Sequence, residues 1–321
     1  MANSNKKRRM TIGYINVYNQ GGLDLGKQLE IEQHVRDYRL DVVHLQEINM
    51  SGEVFRDCPY LTSSFAFLAN LNSPMGFGTA SLVKNSFAVD GFRCDKEGRV
   101  ICFELDDWLT CWNVYLQCGQ KRDANNSREE YCGKILPQLL LNRKPNGIGG
   151  GDYNCVTDKL RDAPVTSVGS CANLIKLNSQ LEASDCYRSL HPRGTAFSRP
   201  CNGNGSRIDR SYYYGEDIEV VSAEYIPLRF SDHRMHVVTI EVPQSPSGTS
   251  TKTKRAYFKI RPEVIMDSTF QDHIRMTSNR WTEYNNRGYP IMDLWEDVIK
   301  KDVKRLALQR SKALNYKKIG A

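Results

Sequence analysis

The sequence predicts an α/β fold, with two sheets packed face to face and helices outside over residues 11–242, followed by a linker and a helical basic tail. Three observations carry this. Short runs rich in β-branched and aromatic residues recur through that span, as strands do. Only residues 27–39 and 128–141 there have the apolar spacing of a helix. Five polar motifs each close an apolar run, as site residues at strand ends do.

In chain order the strand-like runs begin with TIGYIN, ending at Asn16, and DVVHLQEI, which carries Gln46-Glu47. FGTASLV follows, then VICFEL and LTCWNVYLQ, which flank Asp106-Asp107-Trp108 and read as a hairpin. In the second helical stretch Ile135, Leu136, Leu139 and Leu140 form an apolar stripe, and Pro145 lies beyond its end. Gly149-Gly150-Gly151 reads as a turn before Asp152-Tyr153-Asn154. SRIDRSYYY, IEVVSAEYI and HVVTIEV complete the body, with Ser231-Asp232-His233 ahead of the last. Residues 243–256 are rich in Pro, Ser, Thr and Gly and read as a linker. In the tail, 257–321, a long helix is expected over 290–314, with Ile291, Leu294, Trp295, Val298, Val303 and Leu306 on one face.

At 40% hydrophobic and 25% charged, the 321-residue chain has the composition of a soluble globular protein. No run is as long as a membrane helix, so no membrane role is expected. Residues 1–10 read as a basic arm in which Lys6-Lys7-Arg8-Arg9 suits a nuclear address or a phosphate contact. With no apolar stretch behind it, secretion is not expected; the nucleus is, or else the cytoplasm. Ten cysteines are scattered without C-x-x-C pairs, which argues for reduced thiols over a disulfide or zinc framework. Residues 252–321 carry a net charge of +8 and the rest of the chain −1, so the tail suits a polyanion and any nucleic-acid footprint on the body is local. A monomer is expected.

The polar motifs supply acids, amides and a histidine, the inventory for metal-assisted attack on a phosphodiester. Glu47 ends a buried-looking strand, where a carboxylate wants a partner, and is the first candidate for a metal. Asn16 would help hold that metal or its water. Of Asp152 and Asn154, one would orient the attacking water and the other donate to phosphate. Tyr115 shares a strand face with Asn113 and would donate to phosphate, unless it is a core tyrosine. Asp209 would keep the His233 imidazole protonated, leaving Asp232 to face the metal or the histidine.

This ordered set, Asn16, Gln46-Glu47, Asn113-Val-Tyr115, Gly150-Gly151-Asp152-Tyr153-Asn154, Ser206-Arg207-Ile208-Asp209 and Ser231-Asp232-His233, resembles the motifs of the endonuclease/exonuclease/phosphatase superfamily, which includes DNase I and the apurinic/apyrimidinic endonucleases. Asp185-x-x-Arg188-x-x-His191-Pro192, then Phe197-Ser198, then Ser206-Arg-Ile-Asp209 is similar to the signature of the endonuclease domains of LINE-type (non-LTR) retrotransposons. The tail is similar to the segment that joins those domains to a reverse transcriptase. The resemblance implies a four-layer α/β/β/α sandwich of the DNase I kind and Mg²⁺-dependent nicking of one strand of double-stranded DNA, with Mn²⁺ as a substitute ion and a 3′-hydroxyl left behind. By matched position it implies that Asn16, Glu47 and Asp232 serve the metal. Asp152 would handle the water, Tyr115 and Asn154 the phosphate, and Asp209 the His233 that contacts it. Ser206 and Arg207 would lie near DNA, as would Arg199, Asn202 and Asn204 of the hairpin loop Arg199–Gly205. The basic tail would contact DNA or the element's RNA. Other implied readings are an abasic-site repair endonuclease, another phosphoesterase, or a non-catalytic DNA-binding derivative. The residues after Asn16, Val-Tyr-Asn-Gln, depart from the short Asn-Gly turn of many relatives and leave the local geometry there open.

Overall fold

Two six-stranded mixed sheets carry the site. A computed structural model describes residues 7–18, 23–48, 55, 57–71, 77–119, 121–201, 204–243, 262–286, 303, 306–307 and 310. The chain divides into two compact units, Met1–Gln244 and Ser245–Ala321. The first begins with β1 (Lys7–Asn16), α1 (Leu25–Asp37) and β2 (Val42–Ile48). Next come α2 (Pro59–Ser64), β3 (Phe65–Asn70), β4 (Gly78–Lys84), β5 (Val89–Cys94), β6 (Val100–Leu105) and β7 (Leu109–Tyr115). The helices α3 (Arg122–Glu130) and α4 (Leu136–Leu139) lead into β8 (Asn146–Asp152), α5 (Lys159–Asp162) and α6 (Ala172–Gln180). Last are β9 (Ser184–Asp185), α7 (Cys186–Leu190), β10 (Arg199–Cys201), β11 (Asn204–Ser206), β12 (Asp209–Tyr214), β13 (Glu219–Pro227) and β14 (Arg234–Pro243).

The sheet orders are β13-β14-β1-β2-β4-β3 and β5-β6-β7-β8-β12-β9. Each has one parallel pair, β1 with β2 and β7 with β8, joined by a helical crossover. Three apolar clusters define four layers. Met10, Ile12 and Tyr14 of β1 meet Ile101, Phe103 and Leu105 of β6 between the sheets. Ile31 and Val35 of α1 cover the outside of one sheet. Tyr131, Cys132, Leu136, Leu174 and Leu177 cover the outside of the other. The architecture is the expected α/β/β/α sandwich.

Several elements differ from the sequence reading. Lys7, Arg8 and Arg9 belong to β1, because β14 continues the ladder to Lys7↔Pro243 and their charges are paired with Glu219, Asp106 and Glu241. The second helix begins at Arg122 and contains a π-turn, Tyr131–Ile135, in which the Leu136 N–H reaches the Tyr131 carbonyl just before Pro137, a residue with no N–H to give. The hairpin at Asp106-Asp107 is present, with both residues at positive φ (50° and 61°).

The triple glycine is not a turn but the buried end of central strand β8. A Cβ at Gly149 would lie 2.2 Å from the Trp112 ring and one at Gly150 2.0 Å from the Arg210 carbonyl oxygen, so neighbours inside the protein fill the space. In the tail unit Pro262–Ile265 and Ser268–Asn286 are helical, and Val264 and Phe270 pack with Leu306 and Ala307. Most of the expected 290–314 helix lies outside the described residues. No helix among the described residues is long and apolar enough to cross a membrane.

Candidate active site

The two parallel strand pairs, one from each sheet, end at one place. Asn16 and Gln46 pair at the ends of β1 and β2, Tyr115 and Asp152 at the ends of β7 and β8, and Asp209 opens β12 opposite Asp152. The carboxyl ends of parallel strands leave backbone groups and side chains free to converge on a ligand. The Asn16 amide joins the sheets there, donating through Nδ2 to Glu47 Oε1 at 3.2 Å and to Asp152 Oδ2 at 3.0 Å. Glu47 is at positive φ (58°), a strained conformation for a non-glycine residue at the point where its strand stops. Gln46 turns inward, donating to Asn113 Oδ1 at 2.7 Å, while Asn113 donates to the Leu45 and Ala80 carbonyls. Asn113 therefore ties the two sheets beneath the site.

The segment after Asn16 is clamped by Lys27, a residue the sequence reading missed. Its buried Nζ donates to the carbonyls of Val17 (3.2 Å) and Tyr18 (2.6 Å). The Tyr18 N–H in turn donates to Asn16 Oδ1 at 2.9 Å, which turns Nδ2 toward the two carboxylates. The signal was present: the buried stripe of α1 is Lys27, Ile31, Val35, with one cation where an apolar residue is expected.

Asp152 is buried, and burial, then the nearby Asp209 carboxylate, hold its pKa above the ordinary carboxylate range. Asn154 is at positive φ (48°) and donates to Asp152 from its backbone N–H (2.8 Å) and from Nδ2 (3.0 Å). His233 Nδ1 lies 2.8 Å from Asp209 Oδ2. Burial opposes the charged imidazolium, but Asp209, Asp152 and Asp232 outweigh it and lift His233 to about 9. Burial, then Glu47 and Asp152, push the Tyr115 hydroxyl far up, so it is a donor and not an anion.

The acids Asp152 and Asp209 and His233 bring ligand-type atoms within 4.8 Å of one another. The histidine does not suit a metal, because it is held protonated on Asp209. A hard divalent cation fits the other side, where oxygens of Glu47 and Asp152 converge on a single Asn16 donor. Asp232, expected beside the metal, instead pairs with Arg199, two nitrogens meeting Oδ2 at 2.9 and 2.7 Å, and holds Oδ1 3.9 Å from His233 Nε2.

The expected DNA contacts separate. Arg207, expected near DNA, is 1% exposed, and its guanidinium is closed by Asp162 and Asp185 at 2.7–3.1 Å. Arg188 also reaches Asp162, so the signature residues Asp185, Arg188 and Arg207 form one buried network that fixes the segment leading to Asp209. Ser206 is buried as well. Asn204 and Arg199 are exposed on the β10–β11 hairpin, and Asn202 lies outside the described residues.

No protein-family model matches the chain, and no curated protein matches its sequence. Solved structures match its fold. An AP endonuclease from Archaeoglobus fulgidus has a TM-score of 0.59 at 15% identity, covering 71% of this chain and 98% of that one. The AP endonuclease LMAP from Leishmania major has a TM-score of 0.56 at 17% identity, covering 74% and 89%. Truncated TDP2 from Caenorhabditis elegans has a TM-score of 0.52 at 16% identity, covering 72% and 97%. At these identities the likeness is one of fold, the DNase I-like α/β sandwich.

Proposed function

We propose that the chain is a metal-dependent phosphodiesterase that nicks one strand of double-stranded DNA and leaves a 3′-hydroxyl. One observation carries this most: His233 sits 2.8 Å from Asp209 and close to the buried Asp152, beside carboxylate oxygens suited to a hard cation. The endonucleases among the structural neighbours support it. Glu47, with Asp152 near it and Asn16 Nδ2 orienting both carboxylates, would hold Mg²⁺ or Mn²⁺, which when bound would supply Lewis acidity and charge for the phosphate.

The residues of the chain do the rest. Asp152, as a base near neutral pH, takes the proton of the attacking water. Tyr115 donates to the phosphoryl oxygens, Asn154 would join it by releasing Nδ2 from Asp152 or Leu116, and His233 offers a proton and a positive charge where negative charge grows. The P–O3′ bond breaks and the 3′-oxygen leaves as a hydroxyl. The Asp185, Arg188 and Ser206–Asp209 pattern supports the finer reading of a nick that primes reverse transcription, as in LINE-type elements.

Nicking of supercoiled plasmid tests this. Open-circle product is expected with Mg²⁺, and none with EDTA or in Asp152→Ala and His233→Ala. Intact plasmid after incubation of wild-type protein with Mg²⁺ or Mn²⁺ would overturn it. The names of the two endonuclease neighbours favour an abasic-site reading as the second choice, and faster cleavage of an abasic duplex than of an intact one would select it.

A further inference from the structure

We propose that Arg199 is an exchange residue: it rests on Asp232 in the free protein and moves to a backbone phosphate when duplex DNA enters. The inference rests on the DNA-nuclease reading above and deepens it. Ser198, at the root of the hairpin, is fully buried and fixed to both strands that carry the His233–Asp209 pair. Its Oγ accepts the N–H groups of Ile208 and Asp209 at 3.0 Å each, and its carbonyl accepts the Arg234 N–H at 2.7 Å. Arg199 is the next residue, so its reach is centred on the mouth of the site.

The pair it makes there is suited to exchange. Nε and Nη2 both converge on the single oxygen Oδ2, not on the two oxygens of a fork-to-fork pair. The side chains are 48% and 36% exposed, so water screens the pair and it holds weakly. The mouth carries the carboxylates of Glu47, Asp152, Asp209 and Asp232, which repel a phosphodiester strand. A guanidinium already placed among them is the cation that a phosphate can recruit. Asp232 has its own destination, because Oδ1 is buried without a hydrogen-bond partner and lies 3.9 Å from His233 Nε2. As Arg199 leaves, Asp232 keeps the His233 ring as its neighbour.

The test is equilibrium binding of a fluorescent duplex in EDTA, which blocks turnover, across a series of salt concentrations. Wild type, Arg199→Gln, Arg199→Lys and Asp232→Asn are compared. Loss of one phosphate contact should weaken Arg199→Gln binding about tenfold. It should also flatten the plot of log affinity against log salt by about 0.9. Arg199→Lys should keep the wild-type slope, and Asp232→Asn, lacking the resting partner, should bind more tightly than wild type at the same slope. An Arg199→Gln slope equal to wild type, or weaker binding by Asp232→Asn, overturns the exchange while leaving the nuclease reading intact. A wild-type protein that binds no duplex at low salt overturns both.

Discussion

The Asn16 amide depends on a lysine that does not touch it. Lys27 holds the Val17 and Tyr18 carbonyls, and Tyr18 fixes the amide that joins Glu47 to Asp152. Lys27→Met keeps the volume but leaves buried carbonyls unsatisfied, a cost of about 1–3 kcal/mol. The expected result is a folded protein whose nicking rate falls roughly tenfold or more, with KM for DNA near wild type. A stable Lys27→Met protein that nicks at the full rate would show that the clamp is irrelevant to the site. At this scale the sequence was most legible where a polar residue ends an apolar run, as at Asn16, Glu47, Asp152 and His233. It was least legible where partners come from distant segments. Asp209 was expected on His233 and is there, but nothing in Ser231-Asp232-His233 announces that Arg199 takes Asp232.

Elements decide whether a motif meets the ligand or the fold. Arg207 is one of the motif residues, yet α5 and β9 enclose it between Asp162 and Asp185. Removing one partner from a buried ion network leaves a charge uncompensated, so Arg207→Met should lose about 3–5 kcal/mol of stability in urea unfolding. If Arg207 served DNA directly, the variant would keep its stability and lose only affinity, which thermal melting and duplex binding together would reveal. The glycine run in β8 misread as a turn for a related reason. Glycine disfavours an isolated strand, but here the Trp112 and Tyr214 rings stack at 5.9 Å over Gly149 and Gly147 and fill the space their side chains would need. That packing comes from β7 and β12, so the local sequence around Gly149 does not contain it. VICFEL and LTCWNVYL were legible as strands because their β-branched and aromatic residues fill both faces themselves.

Across the whole molecule, the two sheets meet over a polar seam as well as an apolar core. His44 of β2 pairs with Ser81 at 2.6 Å, His236 of β14 pairs with Ser211 at 2.8 Å, and Tyr14 stacks between the two imidazoles. Burial lowers His44 to about 3 and His236 to about 4. The unfolded chain takes up protons below about pH 6.5 that these native imidazoles refuse, so stability contributed by their neutral forms is lost as the pH falls. Asp152 acts in the opposite direction, because its raised pKa makes the native state take up a proton earlier than the unfolded chain. His233, lifted to about 9, opposes the loss in the same way, so the net loss between pH 7 and pH 5 is about 1 kcal/mol. The urea midpoint should fall accordingly, and the fall should be largely absent in His44→Gln/His236→Gln; a double variant that keeps it would contradict this assignment. The four-layer class itself was legible from the ratio of strands to helices, whereas which strands pair within a sheet was not, since β1 meets β14 through residues more than two hundred positions apart. The central claim is that this sandwich carries a working phosphodiesterase site, and plasmid nicking tests it most directly. The expected result is Mg²⁺-dependent open-circle DNA from wild type and none from Asp152→Ala or His233→Ala. Uncut plasmid from wild type, or undiminished nicking by either variant, would contradict it.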